Sequence, residues 1–316
     1  MTISPSNMAK RVIAVESVII RMKPHRRSFR VLDEKTFSDI VRWLFTQRRR
    51  KIRNAILSYL RMRGYEKKEA RSLIEGLPYL ESRVCMLTPE GLLYLSNEIY
   101  QRIVESKKFF YKNSVFYVLP EVYEPSDDTF LLADNLVIKR SSKVLDVGAG
   151  CGILSILAAK NASKVVATDL NPHAVECIKI NVKLNDVARK VEVRCGDLFE
   201  AVKPDEKFDV IIFNPPYLPT SKGEAERGWL EKAWAGGPTG REVIDKFLRE
   251  VPRYLNGGGK VLLVQSTLSD VAKTVGILEK YGFKPEILAE KKLDFESIKL
   301  IQAYLRTDHN SFKIFS

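Results

Sequence analysis

The segment Asn214-Pro215-Pro216-Tyr217 carries the most specific chemistry in this 316-residue chain. It directly follows the apolar run Phe208 to Phe213, which reads as a strand, so the four residues turn the chain at a strand end. Two prolines make a stiff turn in any protein. The acceptors around them give this one a use. An amide or base amino nitrogen is a poor nucleophile because its lone pair is delocalised into a π-system. The Asn214 side-chain oxygen and the Pro215 main-chain carbonyl can hold the two N–H bonds of such a group and aim its nitrogen at an electrophilic carbon. Tyr217 can stack on the planar substrate. This is catalysis by proximity and preorganised electrostatics. Neither acceptor has to be a strong base, because proton loss can follow transfer. Asn214, Pro215 and Tyr217 are therefore candidate catalytic residues, and Asn214, Pro215, Pro216 and Tyr217 candidate substrate contacts. The motif selects a planar nitrogen but does not separate glutamine from adenine or cytosine.

A donor site lies upstream. Asp146-Val147-Gly148-Ala149-Gly150-Cys151-Gly152 follows the strand-like KVLDV and precedes the helix-like ILSILAAK. Glycines there let the backbone approach a ligand closely. Nicotinamide, flavin and S-adenosylmethionine enzymes all use such a loop, and the acidic residues discriminate among them. Asp146 sits just before the glycines, where an ammonium or sulfonium would welcome it and a pyrophosphate would not. Asp169 ends the next strand, placed to take ribose hydroxyls. Asp197, in CGDLF, ends the third, where a carboxylate can accept from an adenine amino group. Any one of them alone reads as a loop cap. In register with the glycines, the three describe a nucleoside carrying positive charge, and S-adenosyl-L-methionine fits that description. Cys151 reads as a small loop residue rather than a nucleophile, since no histidine neighbours it.

These residues need a scaffold that brings strand ends together. From Lys143 onward strands and helices alternate: KVLDVG, ILSILAAK, KVVATDL, a helix over Pro172 to Leu184, VEVRCGDLF and FDVIIF. A long loop from Leu218 to Trp234, bordering the substrate, follows; then come a helix near 240–254, KVLLVQS, another helix, and strands near 284–290 and 297–305. The alternation predicts an α/β fold with a parallel, doubly wound sheet and an antiparallel C-terminal edge. The first third differs. Val12 to Arg21 reads as a strand. Thr36 caps a helix, and a second helix over 47–62 places Ile52, Ile56, Tyr59 and Leu60 on one face. Gly64 ends it, a third helix covers 66–75, and Thr88-Pro89 opens a fourth. Lys107 to Tyr117 reads as a linker or packing strand. Phe29, Phe37, Trp43 and Phe45 are assigned to the core by their helical spacing. Two domains are expected, a small basic helical one over 1–110 and a catalytic one over 111–316.

Charge follows the same division. The net charge of +13 arises within residues 1–112, which hold 24 Lys and Arg against 11 Asp and Glu, whereas 113–316 hold 28 of each. Such asymmetry points to a polyanion for the first third. Arg48, Arg49, Arg50, Lys51 and Arg53 are the candidate nucleic-acid contacts. Four scattered cysteines and three histidines predict neither a disulfide framework nor a metal site made by this chain alone. No apolar run approaches the roughly 18 residues of a membrane span. Met1 to Arg11 has no apolar core of a secretory signal. No membrane association and a cytoplasmic location are the expectations.

Several of these segments resemble known families. Val122-Tyr-Glu-Pro-Ser-Asp-Asp-Thr-Phe-Leu-Leu132, the Asp146 loop, Asn214-Pro-Pro-Tyr217 and Ala233-Trp-Ala-Gly-Gly-Pro-Thr-Gly-Arg-Glu-Val-Ile-Asp245 resemble the HemK-type glutamine methyltransferases, specifically their archaeal and eukaryotic branch. The resemblance spans about 118–306 and implies a Rossmann-like S-adenosylmethionine-dependent methyltransferase. It further implies methylation of the glutamine amide in the GGQ motif of a class I translation release factor. It carries Thr129, Asp146, Gly148, Gly150, Asp169, Asp197, Leu198 and Asn214 over as cofactor or substrate contacts. A small zinc-binding activator subunit often accompanies that branch, covering an apolar edge, and some relatives modify lysine. Residues 11–104 resemble instead the C-terminal strand and helical domain of KsgA-type rRNA adenine dimethyltransferases, which grips small-subunit rRNA. No glycine loop or clamp motif precedes them, so this part has no methyl-transfer site of its own.

Three functions satisfy these readings: a glutamine methyltransferase tethered to rRNA or the ribosome, an rRNA methyltransferase of the adenine N6 type, and a ribosome-binding assembly protein. The Trp234-to-Glu242 segment favours the first and the basic module the second. The intact Asp146, Asp169, Asp197 and Asn214 stand against the third.

Overall fold

A computed structural model describes residues 31–105, 107–221 and 228–307. These residues belong to one compact unit, which begins at Val31. The strand expected over Val12 to Arg21, and Phe29, lie outside the described residues.

The unit begins with helices. In α1 (Glu34–Thr46) Ile40 and Leu44, one turn apart, are buried. Its cap is Asp33, whose carboxylate accepts the Thr36 N–H at 2.6 Å, not Thr36 itself. A carboxylate there also complements the positive end of the helix. Phe45 lies one residue past the buried stripe and is 46% exposed, so it leaves the core to which its spacing assigns it. Phe37 and Trp43 are half-buried. In α2 (Ile52–Met62) the stripe of Ile52, Ile56, Tyr59 and Leu60 is buried as the periodicity predicts. It starts later than expected because the Ile52 N–H bonds outside the helix, to the Ser82 carbonyl. Gly64 ends it at φ +92°. Next come α3 (Lys67–Ile74) and α4 (Pro89–Tyr100), the latter capped by Thr88 as its sequence predicts.

The chain then crosses residue 110 in an antiparallel hairpin, β1 (Lys107–Tyr111) and β2 (Ser114–Val118). Lys112 and Asn113 turn it with left-handed backbones, the geometry that tight hairpins require.

The sheet consists of β3 (Lys143–Val147), β4 (Lys164–Asp169), β5 (Val191–Cys195), β6 (Phe208–Phe213), β7 (Leu255–Ser266), β8 (Phe283–Lys292) and β9 (Ser297–Leu305). Its order is β5-β4-β3-β6-β7-β9-β8. The first five strands are parallel, and β9 and β8 add the antiparallel edge. Among these strands run α5 (Asp127–Asp134), α6 (Ile153–Ala159), α7 (Pro172–Leu184), α8 (Trp229–Lys232), α9 (Glu242–Glu250) and α10 (Val271–Lys280). Val165, Val166, Ala167, Ile211, Ile212, Leu262 and Leu263 are almost completely buried, as consecutive residues on strands covered on both faces must be. Each large one contributes about 1.5–3 kcal/mol of burial, which makes the strand ends rigid anchors.

Register does the positioning. Val147 pairs with Thr168 on one side and Phe213 on the other, and Asp169 pairs with Cys195. The glycine loop, Asp169, Asp197 and Asn214 therefore emerge side by side at the C-terminal edge, where the strand order reverses and open α/β sheets bind ligands.

Helix α3 and the hairpin pack on α7. Ser72 Oγ donates to the Ile180 carbonyl at 2.7 Å. Arg102, buried, donates to the carbonyls of Leu73 and Glu75 and to Glu176. Asn181, fully buried, accepts the Tyr117 N–H at 2.9 Å and donates to the carbonyls of Tyr117 and Cys151 at 2.7 and 2.8 Å. One side chain thus ties the hairpin, α7 and the glycine loop together. No described helix is long and apolar enough to cross a membrane.

Candidate active site

A cavity of about 360 Å³ opens at this edge of the sheet, within the range of small-molecule sites. Thr129, Gly148, Gly150, Asp169, Asp197, Leu198, Asn214, Pro215, Pro216 and Tyr217 all line it. Asp146 does not; it stands behind the wall.

The donor side is built by the glycine loop. Gly150 has φ +57°, and a β-carbon there would meet nothing within 4 Å, so its bare Cα faces open space. Its N–H donates to Asp169 Oδ2 at 2.8 Å, and the Asn171 N–H to Asp169 Oδ1 at 2.8 Å. These bonds fix the carboxylate while each oxygen keeps a lone pair for a ligand hydroxyl. Burial raises the Asp169 pKa, and the backbone donors oppose the rise. Leu198 takes a left-handed backbone at φ +43° beside half-buried Asp197. Asp146, 1% exposed, accepts the Ser155 hydroxyl at 2.5 Å, while its Oδ1 has no partner. Burial pushes this carboxyl up to about 7. An orphaned carboxylate oxygen behind a bare-Cα loop, with two more carboxylates on the wall, fits a cationic nucleoside such as S-adenosylmethionine. Cys151 is buried, with its thiol pushed up to about 12, which suits a packing residue and not a nucleophile.

On the acceptor side, Asn214 Nδ2 donates to Thr129 Oγ1 at 3.2 Å, and Asn214 Oδ1 is buried without a partner. The Tyr217 hydroxyl donates to Asp128 Oδ2 at 3.1 Å; burial first, then the Asp128 charge, raises its pKa. The turn is clamped from outside. Leu218 N–H bonds the Trp234 carbonyl, Gly236 N–H the Leu218 carbonyl, and Thr220 N–H the Gly237 carbonyl, at 3.1, 2.8 and 2.9 Å. Arg241, 4% exposed, locks the far end of that segment. It donates to the carbonyls of Ser269 and Asp270 at 2.6 Å and to Asp245 at 2.7 Å. The Trp234-to-Asp245 motif is a mould for the backbone of the Asn214 turn.

Several lining residues carry no assignment from the sequence: Asp128, Trp229, Lys232, Trp234 and Glu242. Asp128 sits directly before Thr129 in the Tyr123-Glu-Pro motif, and both tryptophans fall in the loop expected to border the substrate. Among the described residues, the lining carries the carboxylates of Asp128, Asp169, Asp197 and Glu242 and the ammonium of Lys232. The candidate nucleic-acid residues lie elsewhere. Arg48, Arg49 and Arg50 are exposed on the turn before α2, whereas Lys51 and Arg53 both pair with Glu81.

Comparison with known proteins covers both parts of the chain. A family model described as methyltransferase small domain matches residues 123–230, and one described as ribosomal RNA adenine dimethylase matches residues 1–81. A putative protein N5-glutamine methyltransferase of Methanocaldococcus jannaschii is 47% identical over 186 residues, covering 58% of this chain and 92% of that protein. The human methyltransferase HEMK2 is 31% identical over 192 residues, covering 58% and 89%. A release factor glutamine methyltransferase of Rhodopirellula baltica is 36% identical over 165 residues, covering 48% and 54%.

Proposed function

The chain belongs to the protein N5-glutamine methyltransferase family, and from that premise we propose that it methylates the glutamine side-chain amide in the GGQ motif of a class I translation release factor. When bound, S-adenosylmethionine supplies a methyl group made electrophilic by its sulfonium. Gly148 and Gly150 give the ligand backbone access, Asp169 accepts its ribose hydroxyls, Asp197 and Leu198 hold its adenine, and Asp146 offsets its positive end. Asn214 Oδ1 and the Pro215 carbonyl accept the two amide N–H bonds, and the Tyr217 ring stacks on the amide plane. These contacts hold the nitrogen in line for transfer, and its extra proton leaves to solvent afterwards. The partnerless Asn214 Oδ1 carries the reading. A buried acceptor without a donor costs about 1–3 kcal/mol, which a substrate N–H recovers.

Residues 1–110 serve in this reading as a basic, RNA-binding-like domain that places the enzyme on rRNA or the ribosome, and 111–316 as the catalytic domain. The exposed Arg48 to Arg50 support the first role. Action in the cytoplasm and help from a small zinc-binding activator subunit complete the proposal. The test is transfer of labelled methyl from S-adenosylmethionine to purified release factor and, separately, to small-subunit rRNA, with and without such a subunit. Label on the protein is expected. Label on rRNA alone overturns the reading and makes the enzyme an RNA methyltransferase.

A further inference from the structure

We infer that Asp128 and Thr129 fix which way the Asn214 side-chain amide faces, acting as positioning residues for the amide transfer proposed above, on which this inference rests. A carboxamide turned by half a revolution keeps its shape but exchanges acceptor for donors. Only one orientation of Asn214 offers oxygen to a substrate N–H.

The orientation follows from where protons can go. The Thr129 hydroxyl oxygen lies 3.1 Å from Asp128 Oδ1, and the Thr129 N–H donates to the same oxygen at 2.6 Å. An ionised carboxylate only accepts, so the Thr129 hydroxyl proton points at Asp128. Thr129 Oγ1 can then only accept from Asn214, 3.2 Å away, and Asn214 must present its NH2 group to Thr129 and its oxygen to the cavity. Asp128 Oδ2 is held by the Tyr217 hydroxyl at 3.1 Å. Donors thus converge on Asp128 from both sides, from Tyr217 directly and from Asn214 through Thr129. Asp128 and Thr129 are each 5% exposed, so little water competes for these bonds. In a buried network the wrong donor facing a donor is costly.

Asp128→Asn would keep this arrangement, because the Thr129 N–H holds an oxygen at that position and a new NH2 group fits against the Tyr217 hydroxyl, which can accept. Asp128→Leu removes the acceptor instead. The Thr129 hydroxyl then has no carboxylate to donate to and can donate to Asn214, so the Asn214 NH2 can turn toward the substrate amide. That orientation repels a glutamine amide and attracts a glutamate carboxylate.

The test uses the full-length enzyme with purified release factor, comparing the unaltered protein with Asp128→Leu, Thr129→Val and Thr129→Ser. Readouts are kcat, KM, cofactor affinity by calorimetry, and inhibition by the release factor whose GGQ glutamine is replaced by glutamate. Asp128→Leu and Thr129→Val are expected to lower kcat about 10²- to 10³-fold, the scale of losing one preorganised polar contact. Thr129→Ser, which keeps the hydroxyl, is expected to retain kcat within about tenfold. Asp128→Leu is also expected to shift binding preference from the glutamine factor toward the glutamate one. An unchanged kcat in Asp128→Leu, or a lost kcat with unchanged preference, overturns the inference and leaves the function standing. Should Asp128→Leu fail to bind cofactor, equal kcat for Thr129→Val and Thr129→Ser overturns it, and a gap between them supports it. Failure of the unaltered enzyme to methylate the release factor overturns the functional reading and this inference together.

Discussion

The main-chain carbonyl of Tyr217 lies so close to Gly240 that a β-carbon at position 240 would stand 2.2 Å from its oxygen. Gly240 also has φ +69°, where side chains are strained. The Asn214 turn is therefore packed directly against the bare Cα of Gly240. Gly240→Ala is expected to displace Tyr217 and the turn and to lower kcat by about 10²-fold, the scale of an ångström of misplacement. The glycine loop is not part of this contact, so cofactor affinity measured by calorimetry is expected to hold. An unchanged single-turnover rate contradicts the mould.

Asp146 predicts two opposed pH trends. Desolvation raises its pKa to about 7, with the Ser155 hydrogen bond lowering it and the Asp169 charge adding to the rise. The folded value exceeds the unfolded 3.8. Below both values each state is protonated. Between them the folded state holds a proton the unfolded state has lost, so stability falls as pH climbs toward 7 and levels off above it. The slope from this group is at most about 1.4 kcal/mol per pH unit. A cationic ligand prefers the ionised carboxylate, so cofactor binding should tighten through the same window. Thermal unfolding and calorimetry between about pH 5 and 8.5 test both trends. Asp146→Asn is expected to flatten each; trends that persist in it contradict the assignment.

Asn181 joins three backbones through one side chain. Asn181→Leu leaves the Tyr117 N–H and the Tyr117 and Cys151 carbonyls without that partner. The Tyr117 carbonyl keeps the Cys177 thiol as a donor, so two buried polar groups are left unmet; at about 1–3 kcal/mol each, a loss of at least about 2 kcal/mol is expected. Denaturant titration reads it, and a loss under about 1 kcal/mol would show that the link is dispensable. Because the Cys151 carbonyl belongs to the glycine loop, weaker cofactor binding should accompany the destabilisation.

The basic residues divide by their partners. Arg48, Arg49 and Arg50 are exposed, while Lys51 and Arg53 share Glu81. Replacing the three arginines with glutamine is expected to reduce the salt dependence of rRNA binding by about two to three units of log–log slope. The same change at Lys51 and Arg53 should reduce it less, since Glu81 already compensates them. Equal effects from the two sets contradict this division.

Legibility in the sequence followed the range of the interaction. The strands of the seven-stranded sheet, the helix from Pro172 to Leu184, the Thr88 cap and the buried stripe of α2 rest on local period and capping, and the structure places them as read. The glycine loop and the Asn214 turn were visible because close backbone approach and a paired acceptor demand particular residues in sequence. Phe45 escaped because periodicity predicts which residues share a face but not how wide the buried face is. The cap of α1 escaped because Asp33 and Thr36 both suit a cap, and only geometry shows which side chain accepts. The start of α2 depends on Ser82, and the Asn214 orientation on Asp128 and Thr129, which are distant in sequence; no spacing rule records such pairs.

Asn214 is the centre of the account, and one measurement tests it most directly. Purified release factor is incubated with S-adenosylmethionine and either the unaltered enzyme or Asn214→Ala, and the modified residue is located by mass spectrometry beside calorimetry of cofactor binding. The account predicts a single added methyl group on the GGQ glutamine with the unaltered enzyme. It predicts none with Asn214→Ala, whose cofactor affinity stays largely intact. Methylation at another residue, or loss of cofactor binding in Asn214→Ala, would contradict it.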